Sequence, residues 1–258
     1  MELTPEQHAR VAADLARRLE GCAPWTRKTR WRPELDVQAS SYPALNLFPG
    51  VRPSTALPRE LGDGEFVDSP QGRFRYVLRR HRRGVPISTW WNGKIGSVVF
   101  DGDIELPMLF EREAADAPPS STSPWRRHPW MSLTPAELLT LRPGTKLARG
   151  RVVIAGLGLA HQLLEVAKRR AVTELTVVER SSELCELVMP QAMQVLGSLG
   201  HERVRVIIGD AFEVLPKLEA DVALVDVFPA YGDNAAAMAK LRKRCRKIGK
   251  LWDWGWHR

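Results

Sequence analysis

The chain has 258 residues, enough for one large domain or two modest ones, and its 44% hydrophobic and 26% charged residues exclude a largely disordered polypeptide. Its longest apolar run, Val152 to Ala160, is about half of the roughly 20 residues a membrane-spanning helix needs, so no membrane partner is expected, and the opening MELTPEQHAR lacks the basic-then-apolar layout of a secretory leader. Three scattered cysteines (Cys22, Cys185, Cys245) exclude a disulfide framework and make a reducing, cytoplasmic setting the default, while the net charge of +8 concerns partners rather than fold.

In chain order, Thr4-Pro5-Glu6-Gln7 carries a capping hydroxyl, a proline at the first helical position and a capping-box glutamine ahead of Val11, Leu15 and Leu19, which predicts a short amphipathic helix to about Gly21. The proline-rich stretch from Ala23 to Asp63 has no period and reads as irregular. Between Gly72 and Phe110 four alternating segments are separated by turn signals at Arg83-Gly84, Asn92-Gly93 and Asp101-Gly102, which predicts an antiparallel meander. Ala114 to Pro124 reads as an exposed loop, and Thr134-Pro135-Ala136-Glu137 should open a helix that Pro143-Gly144 stops after Leu141.

After Arg149 the pattern changes. Apolar strands at Val152–Ala155, Leu175–Val178, Val204–Ile208 and Val222–Val227 alternate with helical segments, as parallel strands covered on both faces do. Ala235 to Lys247 suits a helix and Lys250 to Trp256 a fifth strand. The fold class expected is α/β, with residues 1–148 forming an N-terminal helix, an irregular segment and a small antiparallel β domain, and residues 149–258 a parallel sheet domain.

The first apolar strand runs into Gly156-Leu157-Gly158-Leu159-Ala160, a turn whose glycines let backbone approach a ligand where a side chain would collide. Position 161 is histidine rather than the third small residue of the dinucleotide fingerprint, so a nucleoside without a diphosphate is the better match. Glu179, ending the second strand, can accept hydrogen bonds from both ribose hydroxyls, and in Gly209-Asp210-Ala211, after the third, the carboxylate can accept from an exocyclic amine of adenine. Gly156, Gly158, Ala160, Glu179, Asp210 and Ala211 are therefore the candidate nucleoside-binding residues, converging at the carboxyl ends of consecutive strands. The six histidines show no ligand-type spacing to one another or to cysteine, and no metal is expected.

Val152 to Ala160, Val178-Glu179 and Gly209-Asp210-Ala211-Phe212-Glu213 together resemble the S-adenosylmethionine-binding domain of class I methyltransferases, and more narrowly the spermidine synthase-like proteins. Ile154 is aliphatic as in spermidine synthases, Val98 to Leu106 resembles their strand-turn-strand "LDGxxQ" segment, and Met131 to Leu141 sits where they have a helix before the first strand. The resemblance implies a Rossmann-like domain beside a small β domain, S-adenosylmethionine or its decarboxylated form as cofactor, and transfer of a methyl or aminopropyl group. Leu159 stands where aminopropyltransferases carry an acid, and Asp226-Val227-Phe228-Pro229 keeps only the first acid of their D-x-x-D, which favours methyl transfer to an acceptor the sequence does not name. The sheet is expected without the family's closing C-terminal hairpin.

Asp226 is the candidate base or nucleophile-positioning group, with Phe228 and Tyr231 as flanking aromatics; a non-catalytic nucleoside-binding module is the remaining alternative. Two basic clusters, Arg79 to Arg83 at an expected hairpin tip and Lys240 to Lys250, with tryptophans 90, 91, 252, 254 and 256, read first as solvated faces and second as a nucleic-acid surface; a homodimer is a further expectation.

Overall fold

A computed structural model describes residues 4–43, 45–91, 94–113, 123–201, 204–228, 232 and 234–255. Helix α1 (Pro5–Glu20) begins as its sequence dictates: the Thr4 hydroxyl accepts from the Gln7 N–H, and the Gln7 side chain accepts from the Thr4 N–H at 2.8 Å. Strands β1 (Glu34–Val37), β2 (Phe66–Asp68), β3 (Phe74–His81), β4 (Ile87–Trp91), β5 (Lys94–Phe100), β6 (Ile104–Glu111) and β7 (Met131–Ser132) follow. Helix α2 (Pro135–Leu147) then leads into β8 (Gly150–Ala155), α3 (His161–Ala167), β9 (Val172–Glu179), α4 (Ser182–Ser198), β10 (Arg205–Ile208), α5 (Ala211–Val214), β11 (Ala220–Val225), α6 (Ala235–Arg244) and β12 (Ile248–Asp253).

The second half is a five-stranded, wholly parallel sheet in the order β10-β9-β8-β11-β12, the α/β architecture expected. Strand periodicity explains how it is buried. Val152 and Ile154 of β8, with Val222 and Leu224 of β11, enter one apolar cluster, while Val153, Ala155, Ala223 and Val225 enter a second one on the opposite face beneath α6. The first cluster also takes in Tyr76, Phe100 and Leu109 from the N-terminal strands, so apolar packing is continuous between the two halves.

The N-terminal half departs from the expected meander. β3 pairs with β6 along its whole length, from Phe74 opposite Glu111 to His81 opposite Ile104, inside the order β2-β3-β6-β7. β4 and β5 pair with each other in a separate sheet, β1-β5-β4, in which β1 runs parallel to β5. Arg83-Gly84 and Asp101-Gly102 are therefore crossings between sheets: the Gly84 N–H donates to Phe100 O and the Arg83 N–H to Asp103. A turn signal marks where the chain bends but not which strand it will pair with. Of Arg79 to Arg83, the first three residues end β3 and the last two begin an inter-sheet crossing, not a hairpin tip, and Asn92-Gly93 and most of Ala114 to Pro124 lie outside the described residues. The segment read as irregular contributes β1, whose Asp36, with Ser97, binds the buried Arg18 guanidinium and anchors α1 to this sheet.

Two helix expectations also change. Thr134 makes no side-chain cap, and Pro143 lies inside α2, which continues to Leu147. Proline withholds one backbone N–H, but tertiary packing holds the last turns in place. The Trp252 ring lies against Gly144, Trp254 Nε1 donates to Thr140 Oγ1 at 2.9 Å, and Arg142 Nη1 donates to Thr29 O at 2.7 Å. Trp252 and Trp254 are thus packed against α2 rather than displayed as stacking platforms, and Trp256 lies outside the described residues. In the basic C-terminal stretch Arg242 pairs with Asp253 and Arg244 with Glu213.

Gly96 is where the small sheet tolerates no side chain, because a Cβ there would stand 1.8 Å from Pro33 O, a backbone atom that no rotamer change can move. Gly50 has nothing within 4 Å of the same position. Gly96→Ala is expected to lower stability by about 2 kcal/mol or more in urea unfolding, with Gly50→Ala within about 0.5 kcal/mol of wild type. Equal effects would contradict the placement of β1 against β5.

Candidate functional site

Three strand ends converge around Gly156. Its N–H donates to Val178 O of β9 at 2.8 Å, and the Asp226 N–H, just beyond β11, donates to Ala155 O at 2.8 Å. A Cβ at Gly156 would lie 1.9 Å from Asp226 O, and φ there is +95°, so glycine is required on both counts. The turn continues through Gly158 (φ +49°) into Ala160, a non-glycine residue at φ +56° that precedes α3.

The turn forms one wall of a cavity of about 250 Å³, also lined by Val178, Glu179, Gly209, Asp210, Ala211 and Phe212, with Trp130 at its edge. Glu179 points at the turn: its Oε2 accepts from the Leu157 N–H and its Oε1 from the Ser181 N–H, each at 2.9 Å. Each carboxylate oxygen retains a lone pair for a further donor. Asp210 is exposed and caps α5, its Oδ1 accepting from the Phe212 N–H at 2.7 Å, and no described residue bonds its Oδ2. Five of the six candidate binding residues thus share one cavity. The exception is Ala160, which is fully buried and does not line it; it shapes the turn instead.

A larger cavity, about 540 Å³, lies at the amino ends of the same strands between Arg151, Glu174, Arg205 and Glu219. It has no glycine turn, and open parallel sheets bind ligands at the carboxyl edge, so size does not select the site.

Sequence reasoning missed Met131 and Glu137, which come from the segment just before and within α2. A Cβ at Gly158 would lie 2.2 Å from Met131 Sδ, and the same sulfur accepts from the Leu159 N–H at 3.0 Å. β7 brings Met131 there by pairing with β6, Met131 opposite Leu109. Glu137 Oε2 accepts from the Ser132 N–H at 3.0 Å and from Ser132 Oγ at 2.9 Å. Burial, and then the charge of Asp226, push the Glu137 carboxyl up to about 8; burial pushes Asp226 up to about 7. Two buried carboxyls are therefore near enough for the charge of Asp226 to act on Glu137, one from the strand end expected and one from a helix that no local motif links to it. A carboxyl poised near neutrality can take a proton from a nucleophile. Phe228 packs edge-to-face on Phe212, their ring centroids 6.3 Å apart, and Tyr231 lies outside the described residues. Among the described residues no group of three or more metal-ligating side chains is assembled, and no helix is long and apolar enough to cross a membrane.

No protein-family model and no curated protein matches the chain. Solved structures match over part of its length. Precorrin 8W decarboxylase from Methanobacterium thermoautotrophicum is 20% identical, covering 46% of this chain and 62% of its own, with a TM-score of 0.33. S-adenosylmethionine-dependent methyltransferases from Thiobacillus denitrificans and Geobacter sulfurreducens, both in complex with S-adenosylhomocysteine, are 25% and 24% identical, each with a TM-score of 0.33. They match over 46% of this chain, and over 48% and 47% of their own. The matched region is thus about half to three-fifths of these neighbours' own length.

The raised carboxyls set a sign for stability against pH. The folded state keeps protons that the unfolded chain, with ordinary carboxyl values, has released, so stability is lost as pH rises from the ordinary carboxyl range through about 8. Glu137→Gln and Asp226→Asn remove that loss. Thermal melts should show each raising the melting temperature over wild type by more at pH 8.5 than at pH 5; an equal shift at both would mean that the carboxyls are not held protonated by their surroundings.

Proposed function

We propose that the carboxyl-edge crevice binds S-adenosylmethionine and that the protein is a methyltransferase of the spermidine synthase-like type. The observation that carries this reading is the Glu179 carboxylate, hydrogen-bonded to the turn at Leu157 and lining one cavity with Gly156, Gly158, Asp210 and Ala211. Backbone without side chains on one wall and a carboxylate at the end of the next strand suit a ribose, and Asp210 Oδ2 suits an exocyclic amine. At about 250 Å³ the cavity is at the small end for ligand sites, matching the nucleoside portion; the rest of the cofactor requires Met131 to swing off Gly158.

The sulfonium of the cofactor supplies an activated methyl group. What remains for the chain is to align an acceptor and remove its proton. Asp226 lies beyond β11 next to Gly156 and, with its carboxyl near 7, is the base in this reading. A second reading, aminopropyl transfer from the decarboxylated cofactor, is favoured by Glu137. It supplies beside Asp226 the second carboxyl that the sequence lacks at Pro229, and a cationic amine between the two would draw both into their ionised forms.

Calorimetric titration with S-adenosylmethionine, its decarboxylated form and methylthioadenosine tests the crevice, and turnover with candidate acceptors tests the chemistry. Wild type should bind all three. Glu179→Ala, losing two charge-assisted ribose bonds, should weaken each about tenfold or more. Met131→Ala should bind at least as tightly as wild type. Asp226→Asn should retain binding and lose transfer. Failure of all three ligands to bind would overturn the reading, and binding with turnover of putrescine but of no methyl acceptor would select the second one.

A further inference from the structure

A cavity of about 450 Å³ opens where the chain between Trp25 and Arg27 crosses helices α2 and α3, and no residue that lines it also lines the crevice. Its walls combine an apolar surface from Trp25, Pro43 and Leu138 with the Arg142 guanidinium, the His161 imidazole and the Glu165 carboxylate. The Glu165 charge acts on Arg142 across the cavity but does not form an ion pair with it. Glu165 is bound by Lys168 one turn along α3, whereas Arg142, half-buried, has no carboxylate within ion-pair distance among the described residues. One of its N–H groups reaches Thr29 O, and the guanidinium lies over the Trp25 ring, 4.7 Å from the centroid. That stacking fixes the plane of the fork and leaves further donors uncommitted. Burial pulls the Arg142 guanidinium down from its ordinary value against the opposing charge of Glu165, and burial likewise outweighs Glu165 at His161, holding the imidazole neutral, at about 4, so the histidine offers a hydrogen bond rather than a charge. Arg27, exposed at the rim, adds positive charge.

A partly buried cation gains from a partner in direct contact, which Glu165 does not provide, and a planar guanidinium meets carboxylate and phosphate oxygens in pairs. We propose that this cavity is a second binding site, for a small organic anion whose carboxylate or phosphate pairs with Arg142 and whose apolar body lies against Trp25, Pro43 and Leu138. His161 directly follows Ala160, so the occupant touches the first residue of the helix that leaves the glycine turn. The anion is distinct from the cofactor and from the acceptor that Asp226 would serve.

Titration of the full chain with benzoate and with phenyl phosphate tests the site, and cyclohexylamine serves as a cationic control of similar bulk. Wild type should bind at least one of the two anions and not the amine; which of the two binds identifies carboxylate or phosphate as the natural group. Arg142→Gln should weaken that binding about tenfold or more. Arg142→Lys, which keeps the charge but not the fork, should weaken it several-fold. Thr145→Phe, which fills the cavity and leaves the guanidinium in place, should abolish it. S-adenosylmethionine binding in the same variants separates this site from the crevice and reports that they fold. The proposal is overturned if neither anion binds at millimolar concentration, if the amine binds equally, or if the anion binds Arg142→Gln and Thr145→Phe as well as wild type.

Discussion

The parallel-sheet half is organised by the near-contact between two loops at the carboxyl edge of the sheet. Strands β8 and β11 are neighbours, and the chain leaving β8 passes so close to the Asp226 carbonyl that only glycine fits at position 156. The same glycine is tied back to β9 through Val178 O, so three strand ends are held in one rigid knot. β9 and β10 lie to one side of β8, β11 and β12 to the other. This is the reversal of strand order at which an open parallel sheet leaves a crevice that no helix covers. Everything proposed for the site depends on that opening staying lined by the Gly156 backbone and the Glu179 carboxylate, with Asp226 bonded to the strand end next to Gly156.

The N-terminal half closes over this edge. Glu183 at the start of α4 is buried and accepts from Ser69 Oγ at 2.5 Å, the Gln71 N–H at 3.0 Å and the Arg73 N–H at 3.1 Å, which clips the β2–β3 turn onto the parallel-sheet domain. Burying a carboxylate is favourable only with partners of this kind. The Tyr42 hydroxyl donates to Leu133 O at 2.6 Å and fixes the approach to α2, from which Met131 and Glu137 enter the site. A thioether over the glycine turn is thus contributed by β7 and a second raised carboxyl by α2.

The parallel sheet was legible because its first four strands each carry an apolar run followed by a glycine or an acid, whereas the fifth, Ile248–Asp253, is interrupted by Gly249 and Lys250 and begins two residues before the expected Lys250. That Gly156, Glu179 and Asp210 line one cavity could be read for the same reason, since each stands at a strand end. The pairing of β3 with β6 and of β1 with β5 could not be read, since the alternation of Phe74, Tyr76 and Leu78 fits any partner strand and Glu34 to Val37 is too short to show a period. Pro143 misled because its helix is held by Trp252 and Trp254, more than a hundred residues away. Glu137 resembled an ordinary first-turn acid until the fold placed it near Asp226.

A crystal structure of the chain with S-adenosylhomocysteine tests the central claim most directly, because it locates the ligand rather than inferring it from a lost affinity. The account predicts ribose hydroxyls on the Glu179 carboxylate, the adenine edge at Asp210, and the Met131 side chain moved off Gly158. A ligand bound elsewhere, or a crevice unchanged at saturating ligand with Met131 still in contact with the Leu159 N–H, would contradict it.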